Sequence, residues 1–507
     1  MSYSKILVFF YLYLFGLTIT HAEEYWSRFR GPNGSGIIQN GNPPVQFNLE
    51  NLLWKTPLPL GHSSPVIWGD KIFLTSYANN QLSGHAISRK GGMILWSSSR
   101  SFDGPVRGPG FSDLHKDTNE AAITPCVDKD RVYFYSSDSV LTCHDHQGNL
   151  LWERDLEYQP VLYGTGSSPV VHNGTLYLLR DCLPEGGSIS RFSSFYAFDA
   201  KTGEIKWQTK RPFSRFSFST PSILESESGI EVIAFGDGRL SGYSTKSGKE
   251  LWYLDGLGKS SITIPVVSGQ EIYMNAKILL GFEVEYNYDK AWKFLISFDQ
   301  NKNGQIDFNE AVDGIKMPQR PDLAPDLPGF GYKINPPENF INNMDLDQDM
   351  AVTFEEFASK IKSIINENKA SQIKIKINRE IDSQPKPSIL WSERRFLPEI
   401  PSILHYQNRV YAVINGGFFV SRNSETGKLI EKDRLDASGM YAASPVAAHG
   451  HVYFSSQRGV VTVMKANDDF DIVSSTQLDG NIYATPAIQE DCIYIRTTQS
   501  LYAFKAN

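Results

Sequence analysis

The stretch YAFDAKTGEIKW, residues 196–207, carries the pattern that decides the fold. Ala197 is followed six residues later by Gly203, and Trp207 follows four residues after that glycine. Two strands joined by a tight turn explain this spacing, because glycine supplies the positive φ of the turn and tryptophan anchors the second strand. The same spacing of glycine and tryptophan recurs at Gly92 and Trp96, Gly148 and Trp152, and Gly248 and Trp252. The segment is therefore one copy of a repeated β-hairpin.

A second recurring unit precedes these hairpins: a Ser/Thr-rich step into proline, a short strand, a turn and an apolar-aromatic strand. This unit begins eight times, at residues 63, 123, 167, 219, 263, 400, 443 and 484. Together the two units give four strands per repeat, at a period of 41 to 60 residues outside one longer gap. Four-stranded repeats of this period indicate propeller blades. We predict an all-β, eight-bladed β-propeller of four-stranded blades.

The last repeat ends in LYAFKAN, after three strands and with no residues left for a fourth. The segment NLLWKTPL near the N-terminus carries Trp54 in the tryptophan position and has no repeat of its own. We predict that it supplies the missing strand, so that the two ends of the chain close the ring and no sheet edge is left exposed.

The gap between the fifth and sixth repeats indicates an insertion. Pro265 and Pro401 are 136 residues apart (401 − 265), about ninety more than one blade requires. The predicted organisation is a signal peptide at 1–22, a first propeller part at 23–279, an insertion at 280–385 and a second propeller part at 386–507.

The insertion contains DQNKNGQIDFNE, residues 299–310, a twelve-residue loop with the ligand pattern of a calcium-binding EF-hand. Such loops take oxygen ligands from positions 1, 3, 5, 7 and 9 and from a bidentate Glu at position 12, with glycine at position 6. Gly304 occupies position 6. The predicted ligand residues are Asp299, Asn301, Asn303, Gln305, Asp307 and Glu310.

A second loop, DLDQDMAVTFEE, repeats the pattern 46 residues later (345 − 299). Its predicted ligand residues are Asp345, Asp347, Asp349, Ala351 through its carbonyl, Thr353 and Glu356. Met350 stands in the glycine position, where a left-handed backbone costs about 1 kcal/mol or somewhat more, so we expect weaker binding here. Apolar residues at helical spacing flank both loops, and a Pro-rich linker separates them. The insertion resembles a pair of EF-hands, and we expect Ca²⁺ as its cofactor.

The first 22 residues, MSYSKILVFFYLYLFGLTITHA, have the composition of a secretory signal peptide. One lysine precedes a short apolar run, and small residues lead to Ala22, after which we expect cleavage. An uncleaved anchor is the alternative. No later stretch approaches the length of a membrane span. We expect an exported protein, periplasmic or secreted.

The alternating Ser/Thr-Pro-Val strands and A-x5-G-x3-W turns resemble the PQQ-like eight-bladed β-propellers. The start WSRFRGPNGSG at Trp26 is similar to the N-terminal signature of their exported bacterial branch. The resemblance implies that each repeat tryptophan docks across neighbouring blades, which fits Trp54, Trp96, Trp152, Trp207, Trp252 and Trp391. In the sixth and seventh repeats Glu431 and Val473 stand where tryptophan is expected, so docking there is degenerate.

The resemblance also raises the question of a quinone cofactor. Family members that oxidise alcohols or sugars with pyrroloquinoline quinone carry two adjacent cysteines beside it, together with a Glu/Asn/Asp set that holds calcium. The four cysteines of this chain are far apart, at Cys126, Cys143, Cys182 and Cys492. We place the first two on the first and third strands of one blade, about 9 to 10 Å apart and too far for a disulfide. We therefore do not expect pyrroloquinoline quinone to bind.

Two functions from different classes stay open. The first is a non-catalytic, calcium-binding, exported propeller, related in fold to the scaffold lipoprotein of the outer-membrane barrel-assembly machinery. The second is a quinoprotein-type alcohol or sugar dehydrogenase that holds its cofactor in another way. For the first function we expect protein or cell-envelope polymer partners and a monomer.

Other polar residues offer weaker candidates. The segment between the first two blades could line one mouth of the propeller, or it could be an ordinary solvated loop; its polar residues are Arg107, His115, Lys116, Asp117 and Glu120. Asp237 and Arg239 are interpreted as hairpin-turn residues. The net charge of −7 and the lack of long basic runs argue against a nucleic-acid partner.

Overall fold

The computed structural model describes residues 25–102, 118–159, 161, 164–182, 192–214, 217–258, 262–276, 286–311, 314–326, 330–334, 338–367, 371–379 and 383–506. The predicted signal peptide lies outside these ranges, as do the candidates Arg107, His115, Lys116 and Asp117.

Within these ranges, thirty-two strands form eight four-stranded antiparallel sheets, which are the blades of a propeller. The first strand of the chain and blades one to four are β1 (Leu52–Pro57); β2 (Val66–Trp68), β3 (Lys71–Ala78), β4 (Gln81–Ser88), β5 (Ile94–Ser101); β6 (Cys126–Val127), β7 (Arg131–Tyr135), β8 (Val140–Asp145), β9 (Leu150–Asp155); β10 (Val170–His172), β11 (Thr175–Arg180), β12 (Ser194–Asp199), β13 (Ile205–Lys210); and β14 (Ser222–Ser226), β15 (Gly229–Gly236), β16 (Arg239–Ser244), β17 (Glu250–Leu254).

The fifth blade and the insertion follow as β18 (Val266–Ser268), β19 (Glu271–Ala276), α1 (Tyr288–Leu295), β20 (Ile306–Asp307), α2 (Phe308–Ala311), β21 (Lys316–Pro318), β22 (Gly331–Lys333), α3 (Glu338–Met344), β23 (Ala351–Val352), α4 (Phe354–Glu367), β24 (Ser371–Asn378) and β25 (Lys386–Glu393). Blades six to eight are β26 (Leu404–Tyr406), β27 (Arg409–Ile414), β28 (Phe418–Asn423), β29 (Leu429–Arg434); β30 (Val446–Ala448), β31 (His451–Ser455), β32 (Val460–Lys465), β33 (Ile472–Gln477); and β34 (Ala487–Gln489), β35 (Cys492–Arg496), β36 (Ser500–Lys505). Two short 3₁₀ helices span Pro32–Gly34 and Ile296–Phe298.

The ring closes between the two ends of the chain, which confirms the prediction from the sequence. The eighth blade has the strand order β34-β35-β36-β1, so its fourth strand comes from the N-terminal part of the chain. Trp54 lies opposite Ala503 in this pairing. Pairing with β1 satisfies the backbone hydrogen-bonding groups of β36, which would otherwise be an exposed edge strand.

Tryptophans of the fourth strands join neighbouring blades. In five blades the indole Nε1–H donates to a carbonyl in the third hairpin of the next blade: Trp54 to Arg89 (2.8 Å), Trp96 to His146 (3.0 Å), Trp152 to Ala200 (3.3 Å), Trp207 to Thr245 (3.0 Å) and Trp391 to Ser424 (2.8 Å). The turn glycine lies against the same indole. A Cβ on Gly203 would lie 2.7 Å from ring carbons of Trp152, and the φ of Gly203 is +71°. Both the backbone conformation and the close approach therefore require glycine at this turn.

Three blades depart from this docking pattern. Trp252 donates to the carboxylate of Glu231 in its own blade at 2.7 Å, and Arg379 pairs with the other oxygen of Glu231 at 2.6 Å. Glu431 holds the tryptophan position of the sixth blade, as predicted. In the seventh blade the register places Ser474 there, opposite Val463, so the assignment of Val473 is wrong by one residue. A bulge immediately before this position on the fourth strand explains the error, because Val473 is the extra residue that the pairing skips.

The insertion lies inside the fifth blade, between its second and third strands. β24 pairs with β19 and β25, so residues 371–378 belong to the blade, whereas the predicted boundary at 385 assigned them to the insertion. Ala276 and Ser371 lie opposite each other at the base of the insertion. The boundary was misplaced because this blade lacks the usual hairpin signature. Lys374 faces Trp391, where the other blades with a tryptophan have alanine, glycine or cysteine.

The insertion has a hydrophobic core of its own. Its buried residues come from the four helices, the loop strands, the β21–β22 hairpin and the residues next to them, and they are Tyr286, Ala291, Leu295, Ile306, Ala311, Ile315, Met317, Phe340, Ile341, Met344, Val352, Phe357, Ile361 and Ile365. Across the described ranges, no helix is long and apolar enough to cross a membrane.

Candidate functional site

The two candidate calcium loops lie side by side and share a short antiparallel ladder. Ile306 lies opposite Val352, and Asp307 lies opposite Ala351. Ile306 and Val352 hold position 8 of their loops, and both side chains are completely buried. The apolar residue at this position thus ties each loop to the core of the insertion and to the other loop.

In the first loop, the side chains at both ends fold back onto the loop backbone. Asp299 accepts hydrogen bonds from the amides of Lys302 at 2.6 Å and Gly304 at 2.9 Å. The Oε1 atom of Glu310 accepts from the amides of Gln300 at 2.7 Å and Asn301 at 3.2 Å. The carboxylates of positions 1 and 12 therefore already face the interior of the loop.

The second loop repeats this arrangement atom for atom. Asp345 accepts from Gln348 at 2.7 Å and from Met350 at 2.9 Å. Glu356 accepts from the amides of Leu346 at 2.8 Å and Asp347 at 3.3 Å. Side-chain oxygens of the three aspartates of this loop lie within 4.8 Å of one another, at Asp345, Asp347 and Asp349.

The other predicted ligand residues lie within the same two loops. Asn301, Asn303 and Asp349 each accept from the amide two residues further on. Asp307 accepts from Asn309 and Glu310, and the hydroxyl of Thr353 donates to Glu356 at 2.8 Å. Gln305 and Ala351 are the position-7 residues, which would offer their carbonyls.

Backbone conformation at position 6 matches between the loops despite the different residues. Gly304 has φ +85° and Met350 has φ +69°. The left-handed conformation predicted for Met350 is confirmed, and the residue is 56% exposed, so burial of its side chain does little to offset the strain.

The second loop concentrates negative charge. Desolvation and the neighbouring Asp349 carboxylate raise the pKa of Asp347. Desolvation by burial also acts on Glu356, but hydrogen bonds from Thr353 and Leu346 outweigh it and lower the pKa of Glu356. The position-12 carboxylate is therefore held in its charged form, in which it can bind a cation.

A second feature, on the axis of the propeller, consists of the segment 26–38 and is called the plug here. The carbonyl of Trp26 accepts from Ile67, and that of Ser27 accepts from Val127. Further contacts reach the inner ends of blades four to eight: Asn33 with Ile223, Gly34 with Ile264, Arg30 with Ile403, Gly36 with Ala447, and Trp26 with Gln489. The motif WSRFRGPNGSG, noted in the sequence as a signature, thus binds the innermost strands together.

Above the plug, hydroxyl groups of successive blades form a ring around the axis, called the hydroxyl ring here. Each backbone amide donates to the hydroxyl of the next blade: Ser64 to Thr124 (2.9 Å), Thr124 to Ser168 (3.1 Å), Ser168 to Thr220 (3.0 Å), Ile264 to Ser402 (3.1 Å), Ser402 to Ser444 (2.9 Å), Ser444 to Thr485 (3.0 Å) and Thr485 to Ser64 (3.0 Å). The series is interrupted where Ile264 offers no hydroxyl to Thr220. The recurring Ser/Thr before proline was the sequence signal for this ring, although its role was missed.

A cavity of about 470 Å³ lies between the hydroxyl ring and the β21–β22 hairpin of the insertion. Phe29 of the plug and Glu399 line it from the propeller, and Gln319, Tyr332 and Lys333 line it from the insertion. Sequence reasoning did not find this cavity, because its walls come from residues hundreds of positions apart.

Several weaker candidates have structural roles. Asp237 and Gly238 form the turn between β15 and β16, and Arg239 pairs with Asp255 at 2.6 Å, which confirms the turn interpretation. The carbonyl of Glu120 accepts from the hydroxyl of Ser137. Glu120 lines a crevice between blades one and two rather than the axial cavity.

The four cysteines are buried and free. Cys126 and Cys143 lie on β6 and β8, on either side of Tyr133, as the spacing predicted. Burial raises the pKa of Cys143 to about 12. A thiol with such a pKa is not a nucleophile at neutral pH.

Comparisons with known proteins agree with this architecture. The family model described as "Outer membrane protein assembly factor BamB" matches residues 46–186 and 85–262. A search of curated proteins finds no match.

Solved structures are similar to this chain at low sequence identity. BamB from Moraxella catarrhalis is 11% identical, with 89% of this chain and 100% of that chain covered and a TM-score of 0.49. A europium-containing methanol dehydrogenase is 11% identical, with 95% and 91% covered and a TM-score of 0.50. The computationally designed Ika8 protein is 9% identical, with 90% and 100% covered and a TM-score of 0.50. At such identities a likeness shows the fold alone. The chain is an eight-bladed β-propeller of four-stranded blades, and its residues 46–262 are similar to the PQQ-like family of BamB.

Proposed function

We propose that this chain is an exported, non-catalytic β-propeller that binds calcium through the loops 299–310 and 345–356 and acts as a binding or scaffold protein. The observation that carries the proposal is the matched geometry of the two loops. In both, the carboxylates of positions 1 and 12 accept hydrogen bonds from the same relative backbone amides.

Calcium suits these loops because it takes six to eight oxygen ligands in flexible geometry, usually with one bidentate carboxylate. Glu310 and Glu356 would supply that carboxylate. The first loop has a single acid among its positions 1, 3 and 5, whereas the second has three and suffers their mutual repulsion when empty. Loops of extracellular modules bind calcium with Kd of about 10⁻⁴ to 10⁻³ M.

The proposed export and partners rest on the sequence of residues 1–22 and on the likeness to BamB. A scaffold needs a rigid body that presents loops, and the closed ring with its plug provides one. We propose protein or cell-envelope polymer partners and a monomeric state. N-terminal sequencing of the exported protein should begin at Glu23; an intact Met1 on membrane-bound material would replace cleavage with an anchor.

Calorimetric titration of the purified mature protein with calcium chloride tests the proposal directly. We expect saturable heat from two unequal sites, which Glu310→Gln and Glu356→Gln together abolish. The matched control is Glu355→Gln, because Glu355 is an exposed acid next to Glu356 that holds no ligand position. No calcium heat in the parent, or the same heat in the double variant, would overturn the proposal.

The alternative function is a quinoprotein-type dehydrogenase. The quinone-binding arrangement of that class includes adjacent cysteines, which this chain lacks. We expect no dye-linked oxidation of alcohols or aldose sugars after reconstitution with pyrroloquinoline quinone and calcium. Quinone-dependent turnover of any of these substrates would reject the non-catalytic assignment.

A further inference from the structure

The axial cavity is a built site that the proposed calcium function does not use. Its volume of about 470 Å³ falls within the roughly 300 to 1,000 Å³ of small-molecule pockets. It is walled on one side by the hydroxyl ring and on the other by the β21–β22 hairpin of the insertion. A ligand there would contact both parts of the protein.

One wall of the cavity presents hydroxyl groups. Six members of the hydroxyl ring line it, namely Ser64, Thr124, Ser168, Ser402, Ser444 and Thr485. Each of these oxygens already accepts one backbone amide. Because a hydroxyl is both donor and acceptor, each retains its own hydrogen to donate toward the oxygen of a ligand.

The charges of the lining residues cancel. Lys333 and Glu399 are the lining residues with a full charge in the described part of the chain, one of each sign. Asn415 donates to Glu399 at 2.8 Å and fixes the carboxylate, which can still accept from a ligand hydroxyl. The amide of Gln319 adds both a donor and an acceptor. Such a wall favours a neutral ligand with several hydroxyl groups over an anion or a cation.

Aromatic rings complete the cavity. Phe29, Phe218 and Tyr332 line it, together with Tyr483, whose ring stacks on His62 at a centroid distance of 4.0 Å. Flat apolar faces beside hydroxyl, amide and carboxylate groups match a sugar ring, which has C–H faces and a hydroxyl-bearing edge. We propose that the axial cavity binds a neutral carbohydrate of about one or two rings.

The same geometry links this site to calcium, and this part rests on the proposed function. β21 begins six residues after Glu310 (316 − 310). Ile315 and Met317, which flank the start of that strand, are fully buried in the core that also holds Ile306 of the first loop. A cation that orders Glu310 would therefore order the hairpin wall. By linkage, calcium should tighten carbohydrate binding and the carbohydrate should tighten calcium binding by the same factor.

The experiment is calorimetric titration of the full mature protein with three neutral probes, maltose, cellobiose and N,N′-diacetylchitobiose, and with glucuronate as an anionic probe. We expect saturable binding of at least one neutral probe and weaker binding of glucuronate. Glu399→Gln keeps an acceptor for Asn415 but loses the charge, and it should weaken the probe about tenfold. Ala442→Phe, which fills the cavity, should abolish binding, whereas the exposed Lys290→Ala should leave it unchanged. Thermal unfolding of each variant checks that it is folded.

Several outcomes overturn the proposal. They are no saturable binding of any neutral probe, tighter binding of glucuronate, or full binding by a folded Ala442→Phe variant. The calcium link has separate readouts. Calcium should increase the affinity for the probe in the parent and much less in Glu310→Gln. An equal increase in both proteins would reject the link. If calcium itself produces no heat, the proposed function fails, and probe binding by the calcium-free protein still decides the carbohydrate site.

Discussion

The indole Nε1–H of Trp54 donates a 2.8 Å hydrogen bond to the carbonyl of Arg89, and so joins the last blade to the first. The Oγ1 atom of Thr56 donates to Gly92 in the same turn at 2.6 Å. Trp54 is half-buried, with its ring near Tyr494 of β35. The N-terminal strand is therefore held to both blades at the point of closure.

We expect Trp54→Ala to destabilise the protein by about 2 kcal/mol or more, because truncation of a well-packed tryptophan costs about 3 to 5 kcal/mol and this one is partly exposed. The control is Leu53→Ala, since Leu53 is the neighbouring side chain and is 46% exposed. Urea unfolding of the two variants and the parent is the measurement. Equal midpoints for Trp54→Ala and Leu53→Ala would contradict the role of the closure.

The hydroxyl ring predicts that removal of one of its oxygen atoms lowers the free energy of unfolding substantially. Ser402→Ala leaves the buried amide of Ile264 without its acceptor, which costs about 1 to 3 kcal/mol. Ser247→Ala removes a hydroxyl from an exposed turn and should change stability by less than about 0.5 kcal/mol. Chemical denaturation distinguishes the two, and indistinguishable variants would mean that the ring contributes no net stability.

We expect the second loop to bind calcium more weakly than the first, and a single substitution should reduce this difference in affinity. Met350→Gly removes the left-handed strain at position 6 of the second loop, worth about 1 kcal/mol, and should lower Kd there about fivefold. The Gly304 site should be unaffected. Calorimetry that shows no change in the second site of Met350→Gly would indicate that this strain does not limit binding.

The insertion should be removable. Because Ala276 and Ser371 are cross-strand partners, residues 277–370 can be replaced by Asn-Gly, which forms a two-residue hairpin between β19 and β24. We expect a folded propeller, since the insertion has its own core, with the contacts of Arg320 to Asn415 and Arg394 to Ile365 lost. Circular dichroism and thermal unfolding are the measurements. A chain that fails to fold would mean that the insertion belongs to the core of the fifth blade.

The folded state should lose stability at acid pH because of the buried His85. Its ring nitrogens bond to Ser76 at 2.7 Å and Ser97 at 2.8 Å, and burial, followed by the nearby Arg496, lowers its pKa from 6.5 to about 4. The folded state disfavours the charged imidazole, so this stability is fully present above pH 6.5 and is lost as the pH falls toward 4. The loss from this group is about 3 kcal/mol.

His85→Asn should therefore flatten the dependence of the unfolding free energy on pH between 6.5 and 4, compared with the exposed His449→Asn. Other histidines, His144 and His405 among them, also have pKa values lowered by burial, so the variant should keep part of the slope. An unchanged slope in His85→Asn would show that His85 does not carry this effect.

The sequence by itself determined the repeat, the number of blades and the closure of the last blade by a strand from the N-terminal part of the chain. These features follow from local patterns: a glycine at a positive φ, a tryptophan four residues later, and a Ser/Thr-rich segment with proline before the innermost strand of a blade. The candidate calcium loops were equally local, because their ligands lie within twelve residues and no distant contact is needed to recognise them.

Only the tertiary structure decided what lies on the axis. The plug, the hydroxyl ring and the axial cavity bring together residues such as Phe29, Lys333 and Glu399, whose separation along the chain gives no signal. The tertiary structure also placed β24 in the fifth blade and Ser474 in the tryptophan position. Strand pairing and bulges set the register of these strands, and residue spacing along the sequence does not determine it. Local sequence patterns thus specified the repeated hairpins, whereas the packing of the blades and of the insertion around the axis created the cavity for which a ligand is proposed.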